Sequence, residues 1–305
     1  MEITFLGTGA GLPSKERNVT AIALSMLQEL NEVWLFDCGE ATQHQLLHTK
    51  IKLGKINKIF LTHMHGDHIY GLPGFLSSRS FQAGTDKPMT VYGPEGIKDF
   101  IEYALNLSHT HLTYPLTIIE INEGLLFETE AIEVYAKKLS HGIPSFGFRI
   151  VEKDKPGELL VEKLKEKGVR PGPIYGEIKE KPSVTLEDGR VIHQKDFIGQ
   201  PKKGRIISIL GDTTYQTAHE EFVKNSDLLI HEATFAGNKE ILARNYFHST
   251  NIQAAKLAVD ASCKQLILTH VSSRYQFSEM DAFLEEAREV FSNTSVASDF
   301  SVFQL

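Results

Sequence analysis

Short runs of β-branched and aliphatic residues, each closed by polar or turn-forming positions, recur along the chain. In the first half, residues 3–6, 19–24, 33–36, 56–61 and 89–92 read as buried strands, followed by 116–121 and 132–139. The same texture returns at 205–210, 228–230 and 265–269. Helical spacing lies between these runs: 41–48, with Leu46 and Leu47 turned inward, 69–81, and a segment opened by Pro94 at a favourable first-turn position. Ser249 or Thr250 is placed to cap a further helix, and a last helix and strand finish the chain. This pattern predicts an α/β fold with no obvious internal repeat, and 305 residues allow either one large domain or two ordinary ones.

Between 152 and 203 the pattern changes. Pro156, Pro171, Pro173, Pro182 and Pro201 fall there, and Lys plus Arg number 12 against 10 Asp plus Glu, in a chain whose net charge is −7. Residues 158–167 suit a short helix ended by Gly168, after which Pro171-Gly172-Pro173-Ile174-Tyr175-Gly176 breaks regular structure. The stretch does not read as core; it reads as an insertion.

Composition sets outer bounds. A chain of 305 residues with 41% apolar content can bury a large core. No apolar run approaches the roughly 18 residues that a membrane span needs, and the start Met-Glu-Ile-Thr-Phe-Leu-Gly lacks the features of a secretory signal. Cys38 and Cys263 are too few for a disulfide framework and read as inert buried thiols, consistent with a reducing cytoplasm. The acidic balance argues against a generally basic nucleic-acid surface, so an RNA site would have to be local.

The strongest chemical signal follows the 56–61 run: Thr62-His63-Met64-His65-Gly66-Asp67-His68. Imidazole and carboxylate together suit zinc and its first-row neighbours. The alternate spacing lets His63 and His65 face one ion while Asp67 and His68 face another, with Gly66 allowing a sharp turn between the pairs. His44 and His48 also share a helical face, but nothing nearby completes a ligand set, and they read as ordinary helix residues. Gly7-Thr8-Gly9-Ala10-Gly11 after the first strand lacks the apolar helix opening of a dinucleotide fingerprint, because Pro13 and the charged run Lys15-Glu16-Arg17 come next. Phe75, in Gly71-Leu72-Pro73-Gly74-Phe75, reads as core, with a stacking face for a nucleotide as the second reading.

The His-x-His-x-Asp-His pattern resembles the signature of the metallo-β-lactamase superfamily. That resemblance implies a four-layer αβ/βα sandwich with a dinuclear metal site at one edge of two packed sheets. It also implies three further ligands after strands, for which His141, Asp212 and His270 stand at matching positions. Asp212 would bridge the ions, His63, His65 and His141 would complete one site, and Asp67, His68 and His270 the other. Asp37 resembles the aspartate that orients ligands from behind the site.

Finer motifs resemble the ribonuclease Z family within that superfamily: Pro13-Ser14-Lys15-Glu16-Arg17-Asn18 (PxKxRN), His231-Glu232-Ala233-Thr234 (HEAT) and His248-Ser249-Thr250 (HST). The resemblance covers essentially the whole chain and implies a single domain over residues 1–305. It implies endonucleolytic removal of the 3′ trailer from precursor tRNA, leaving a 3′-hydroxyl on the tRNA and a 5′-phosphate on the trailer, with two divalent ions per subunit, zinc foremost. It assigns Asp67 to accept the nucleophile's proton and His248, oriented by Glu232, to protonate the leaving group. Lys15 and Arg17 would approach RNA phosphates. Residues 152–203 would be a protruding, flexible arm that grips the tRNA elbow, in a cytoplasmic homodimer of the short form in which one subunit's arm holds RNA while the partner cuts. Two other readings stand beside this one: a superfamily hydrolase of small phosphodiesters, thioesters or lactams, and a noncatalytic RNA-binding subunit that kept the fold.

Overall fold

The computed structural model describes residues 1–305 and resolves two compact units. One comprises Met1–Thr129, Glu133–Ile150 and Ile206–Leu305; the other comprises Glu130–Ile132 and Val151–Arg205.

The larger unit is built on two seven-stranded sheets. In the first, the strand order is Val302–Gln304, Glu2–Gly7, Ala21–Met26, Glu32–Phe36, Ile56–Phe60, Met89–Gly93, Leu116–Glu120; in the second, Thr294–Val296, Leu266–Thr269, Leu228–Glu232, Ile206–Leu210, Ser145–Glu152, Ile132–Leu139, Gly124–Glu128. Aromatic rings join them. Phe60 stacks on Phe36 and Tyr92 at 5.0 Å and meets Phe148 of the second sheet at 5.3 Å, while Phe127 of that sheet lies 5.7 Å from Trp34 and 5.4 Å from Tyr92. Such rings give a large apolar contact and prefer offset or edge-on approaches, which suits a layer between twisted sheets.

Helices cover each sheet on its other side. Leu35, Ile59 and Val91 pack in one cluster with Leu72, Phe75, Leu76, Ile97 and Ile101 of two helices. Leu229, Leu266 and Leu268 pack in another with Ala254, Leu257, Phe283 and Ala287. The result is the four-layer αβ/βα sandwich. In each sheet four successive strands out to one edge are parallel, Glu32–Phe36 through Leu116–Glu120 in the first and Ile206–Leu210 through Thr294–Val296 in the second. Several strand ends therefore open toward the same edge of the sandwich.

Several expectations change in detail. The 41–48 helix is only Thr42–Leu46, and of the two leucines expected inward Leu46 is buried while Leu47 is 64% exposed. The 69–81 segment divides into Gly66–Ile69 and Leu72–Gln82, and Phe75 is fully buried, which excludes the stacking reading. Pro94 precedes rather than opens its helix, which runs Ile97–Leu107 behind Gly96 at φ +93. Gly124–Glu128 and Ser145–Glu152 are strands that the sequence pattern did not single out. Thr250 is the helix cap, in a reciprocal capping box with Gln253.

The smaller unit has a core of its own, formed by Leu164, Val169, Ile178, Val184, Ile192 and Phe197. Single apolar residues set among charges hide this cluster from a run-based reading. Pro173 does not break structure but starts the helix Pro173–Glu180, at a position where its missing N–H is not needed. Glu152 and Arg205 close the unit: the carboxylate accepts from Arg205 Nε at 2.7 Å and from its backbone N–H at 3.2 Å, while Lys155 lies 2.6 Å from the other oxygen.

Candidate metal centre

The stretch 61–68 leaves the first sheet at the end of Ile56–Phe60. His65 precedes the short helix Gly66–Ile69, which turns Asp67 and His68 back toward His63. The sharp turn expected at Gly66 is the entry into this helix. Gly66 sits at the first helical position, where an added Cβ would come 2.2 Å from the Tyr70 ring. From the second sheet, His141 and Asp212 each stand two residues beyond their strands, and His270 follows Leu266–Thr269 directly at φ +56.

These seven side chains meet. Ligand-type atoms of His63, His65, His141 and Asp212 lie within 4.8 Å of one another, as do those of Asp67, His68 and His270. Asp212 Oδ2 lies between the groups, 3.6 Å from His63 Nε2, 3.5 Å from His68 Nε2 and 3.3 Å from His270 Nε2. Nitrogen also faces nitrogen: His65 Nδ1 is 3.0 Å from His63 Nε2 and 3.2 Å from His141 Nε2, and His68 Nε2 is 3.2 Å from His270 Nε2.

The outward-facing nitrogens explain how this is arranged. Thr62 Oγ1 donates to Asp37 and accepts from His63 Nδ1 at 2.9 Å; His68 Nδ1 donates to Asp37 Oδ2 at 2.7 Å. The Phe247 carbonyl accepts from His141 Nδ1 at 2.8 Å. Thr234 Oγ1 donates to Glu232 at 2.8 Å and accepts from His270 Nδ1 at 3.0 Å. Four imidazoles thus hold their proton on Nδ1, and four Nε2 lone pairs point inward with two aspartates. Hard and borderline donors at these spacings fit two divalent ions sharing Asp212.

Electrostatics agrees. Burial opposes ionisation of Asp212, yet His270, His68 and His63 hold its carboxyl well below the usual range. Asp67 is held low against burial by His270 and His68. Burial lowers His63 well below the ordinary imidazole value. His68 is raised, against burial, by Asp212 and Asp37, so a proton and a cation compete for its Nε2.

Beside this cluster His248 Nδ1 lies 2.9 Å from Glu232 Oε1 and 3.2 Å from Thr234 Oγ1. Burial opposes the charged imidazole, but Glu232, by charge and hydrogen bond, and Asp212 push it up to about 9. Glu232 also accepts backbone N–H groups of Thr213, Thr234 and Ser249. Burial at 1% exposure opposes ionisation of its carboxyl, which the charge and hydrogen bond of His248 hold below the usual range.

Of the two basic residues expected to approach phosphate, Lys15 is exposed and Arg17 is not. Arg17 is 8% exposed, and its guanidinium donates to Thr8 Oγ1 and the Ala297 carbonyl at 2.6 Å each, with Met280 Sδ at 3.3 Å. It braces the loop and offers no free cation, because it is buried with its donors engaged by Thr8, Ala297 and Met280. That loop reaches the cluster through Gly11, at φ +75, whose N–H donates to Asp67 Oδ2 at 2.8 Å. Thr62, Thr234, the Phe247 carbonyl and the Gly11 amide are the site groups that sequence reasoning missed.

Known proteins are similar to this chain. The family profile described as Anti-Pycsar protein Apyc1 matches residues 1–154, which include the first five of the seven convergent residues but not Asp212, His248 or His270. A protein named Ribonuclease Z from Oceanobacillus iheyensis is 63% identical over 306 residues, covering 100% of both chains. The crystal structure of human tRNase Z, short form, superposes with a TM-score of 0.73 at 33% identity, covering 100% of this chain and 99% of that one. The metallo-beta-lactamase fold protein YhfI from Bacillus subtilis superposes at 0.69 with 19% identity, over 99% of this chain and 98% of that one, a likeness of fold.

Proposed function

The chain belongs to the ribonuclease Z family, and from that premise we propose that it removes the 3′ trailer from precursor tRNA with two zinc ions per subunit. It is an endoribonuclease with the metallo-β-lactamase fold. His63, His65 and His141 would hold one ion, Asp67, His68 and His270 the other, and Asp212 both. When bound, such a pair supplies Lewis acidity that eases deprotonation of water and offsets charge on the phosphoryl oxygens.

The chain's own groups do the rest. Asp67, aimed by the Gly11 N–H, takes a proton from the attacking water. The new P–O bond forms as the P–O3′ bond breaks in line. His248, whose Nδ1 proton is tied to Glu232, gives its Nε2 proton to the departing 3′-oxygen. The tRNA keeps a 3′-hydroxyl and the trailer a 5′-phosphate. The observation that carries this reading is the 2.9 Å pairing of His248 with Glu232 directly beside seven convergent ligands: a proton donor next to a cation site suits ester cleavage with a poor leaving group.

The unit Val151–Arg205 is the tRNA-gripping arm in this reading, supported by its basic balance within an acidic chain. The working form is a homodimer in which one subunit's arm holds RNA for the partner's site. A cytoplasmic setting agrees with two buried thiols, pushed up by burial to about 12 at Cys38 and about 11 at Cys263, and no helix is long and apolar enough to cross a membrane.

Incubating the purified protein with a 3′-extended tRNA, with and without chelator, and mapping both ends tests the proposal. A 3′-hydroxyl on the tRNA and a 5′-phosphate on the trailer, lost on chelation, are expected. Intact RNA, or cleavage indifferent to chelator, would overturn it.

A further inference from the structure

One aromatic residue at the rim of the centre has no role in the chemistry above. Phe247 stands immediately before His248 and is 50% exposed, with backbone φ +60. A phenylalanine in the left-handed region is an outlier whose backbone cost must be balanced by its surroundings. Part of the balance is visible: the Phe247 carbonyl accepts from His141 Nδ1 at 2.8 Å, which requires this backbone path but no particular side chain. Asn, which tolerates a positive φ, would serve that purpose at lower cost.

A Cβ added to Gly142, the residue after His141, would sit 3.4 Å from Phe247 Cδ2, so the ring borders the His141–Gly142 backbone with little to bury it. His141 and His248 have ring centroids 5.2 Å apart. Phe247 is thus fastened by its chain neighbour to the proton donor and by its carbonyl to an expected ligand, and its ring is left half open beside both. Tyr246, also 61% exposed, continues the aromatic rim toward Phe235, at 6.4 Å.

We propose that the Phe247 ring is a stacking platform for the base of the nucleotide whose 3′-oxygen leaves. The inference rests on the function proposed above, because His248 fixes where that oxygen must be, and a nucleotide presenting its 3′-oxygen to His248 brings its base to the neighbouring rim. Stacking tolerates every base, which suits a position that must accept many tRNAs. Phe247 is therefore a positioning residue that sets the register of cleavage.

A chemical double cycle tests this. A 3′-extended tRNA carrying either a normal base or an abasic ribose at the nucleotide before the cut is given to the wild type, Phe247→Asn and Phe247→Tyr. The wild type should lose about tenfold or more in kcat/KM on the abasic substrate, with added cleavage at neighbouring bonds. Phe247→Asn should lose a similar factor on the normal substrate and nothing further on the abasic one, while Phe247→Tyr should behave as wild type. Equal abasic penalties in wild type and Phe247→Asn, or no penalty in the wild type, would overturn the proposal; the second outcome needs no variant to fold. Failure of the wild type to cut the normal substrate would instead overturn the function on which the inference rests.

Discussion

Glu232 Oε1 lies 2.9 Å from His248 Nδ1, and the same carboxylate accepts three backbone N–H groups around it. Burial opposes ionisation of Glu232, but the charge and hydrogen bond of His248 hold its carboxyl below the usual range, and the carboxylate in turn raises His248. A buried acid thus holds a proton on its neighbour.

Replacing Glu232 with Gln keeps the shape and removes the charge. His248 is raised to about 9, so its protonated form persists through neutral pH and is lost as pH rises through that value. In Glu232→Gln the loss comes at lower pH, and kcat should fall by about 100-fold at pH 8. A pH–rate profile on precursor tRNA checks this: the alkaline limb should move to lower pH, with metal content unchanged.

Thr62 passes the influence of Asp37 to His63 by donating to one and accepting from the other. Thr62→Val leaves the volume similar and removes the relay, so metal affinity should drop by about 10- to 100-fold. Competition with a chromophoric chelator reads the change. Unchanged affinity would mean that the hydroxyl plays no part in orienting His63.

Much of the centre was legible because ligand-type residues follow apolar runs: His141, Asp212 and His270 each stand within two residues of a strand end. The supporting groups were not. Thr62 and Thr234 look like ordinary β-branched residues, the Phe247 carbonyl is a backbone atom, and the Arg17 partners Met280 and Ala297 are more than 250 positions away. The fold followed the same rule. Strands such as Ile132–Leu139 were visible in the apolar pattern, whereas Gly124–Glu128 is an edge strand with no fully buried residue, and Leu47 faces outward because successive positions on a helix point about 100° apart.

Lys15 and Arg17 separate by burial. Lys15→Ala should weaken precursor-tRNA binding several-fold and lower the salt slope of log Kd by about one, with stability unchanged. Arg17→Ala strands Thr8 and Ala297 acceptors and should cost about 2–4 kcal/mol of stability. Salt-dependent binding and denaturant titration distinguish the two.

Glu152 gives an acid-sensitive contribution. Burial opposes its ionisation, but hydrogen bonds from Arg205 and Lys155 bring its carboxyl down to about 2. A depressed carboxyl stabilises fully above its unfolded value of about 4.3 and loses that contribution as pH falls toward 2. Glu152→Gln should therefore be less stable than wild type by about 1–3 kcal/mol at pH 7, with the gap closing between pH 4 and pH 2. Denaturation at several pH values measures it.

The central claim is that residues from both sheets hold two ions around one shared aspartate. Anomalous diffraction at the zinc edge from crystals of the zinc-loaded protein tests it most directly. Two peaks per chain are predicted, one bounded by His63, His65 and His141, the other by Asp67, His68 and His270, with Asp212 between them. A single peak, or zinc bound elsewhere with these seven side chains free, would contradict the account.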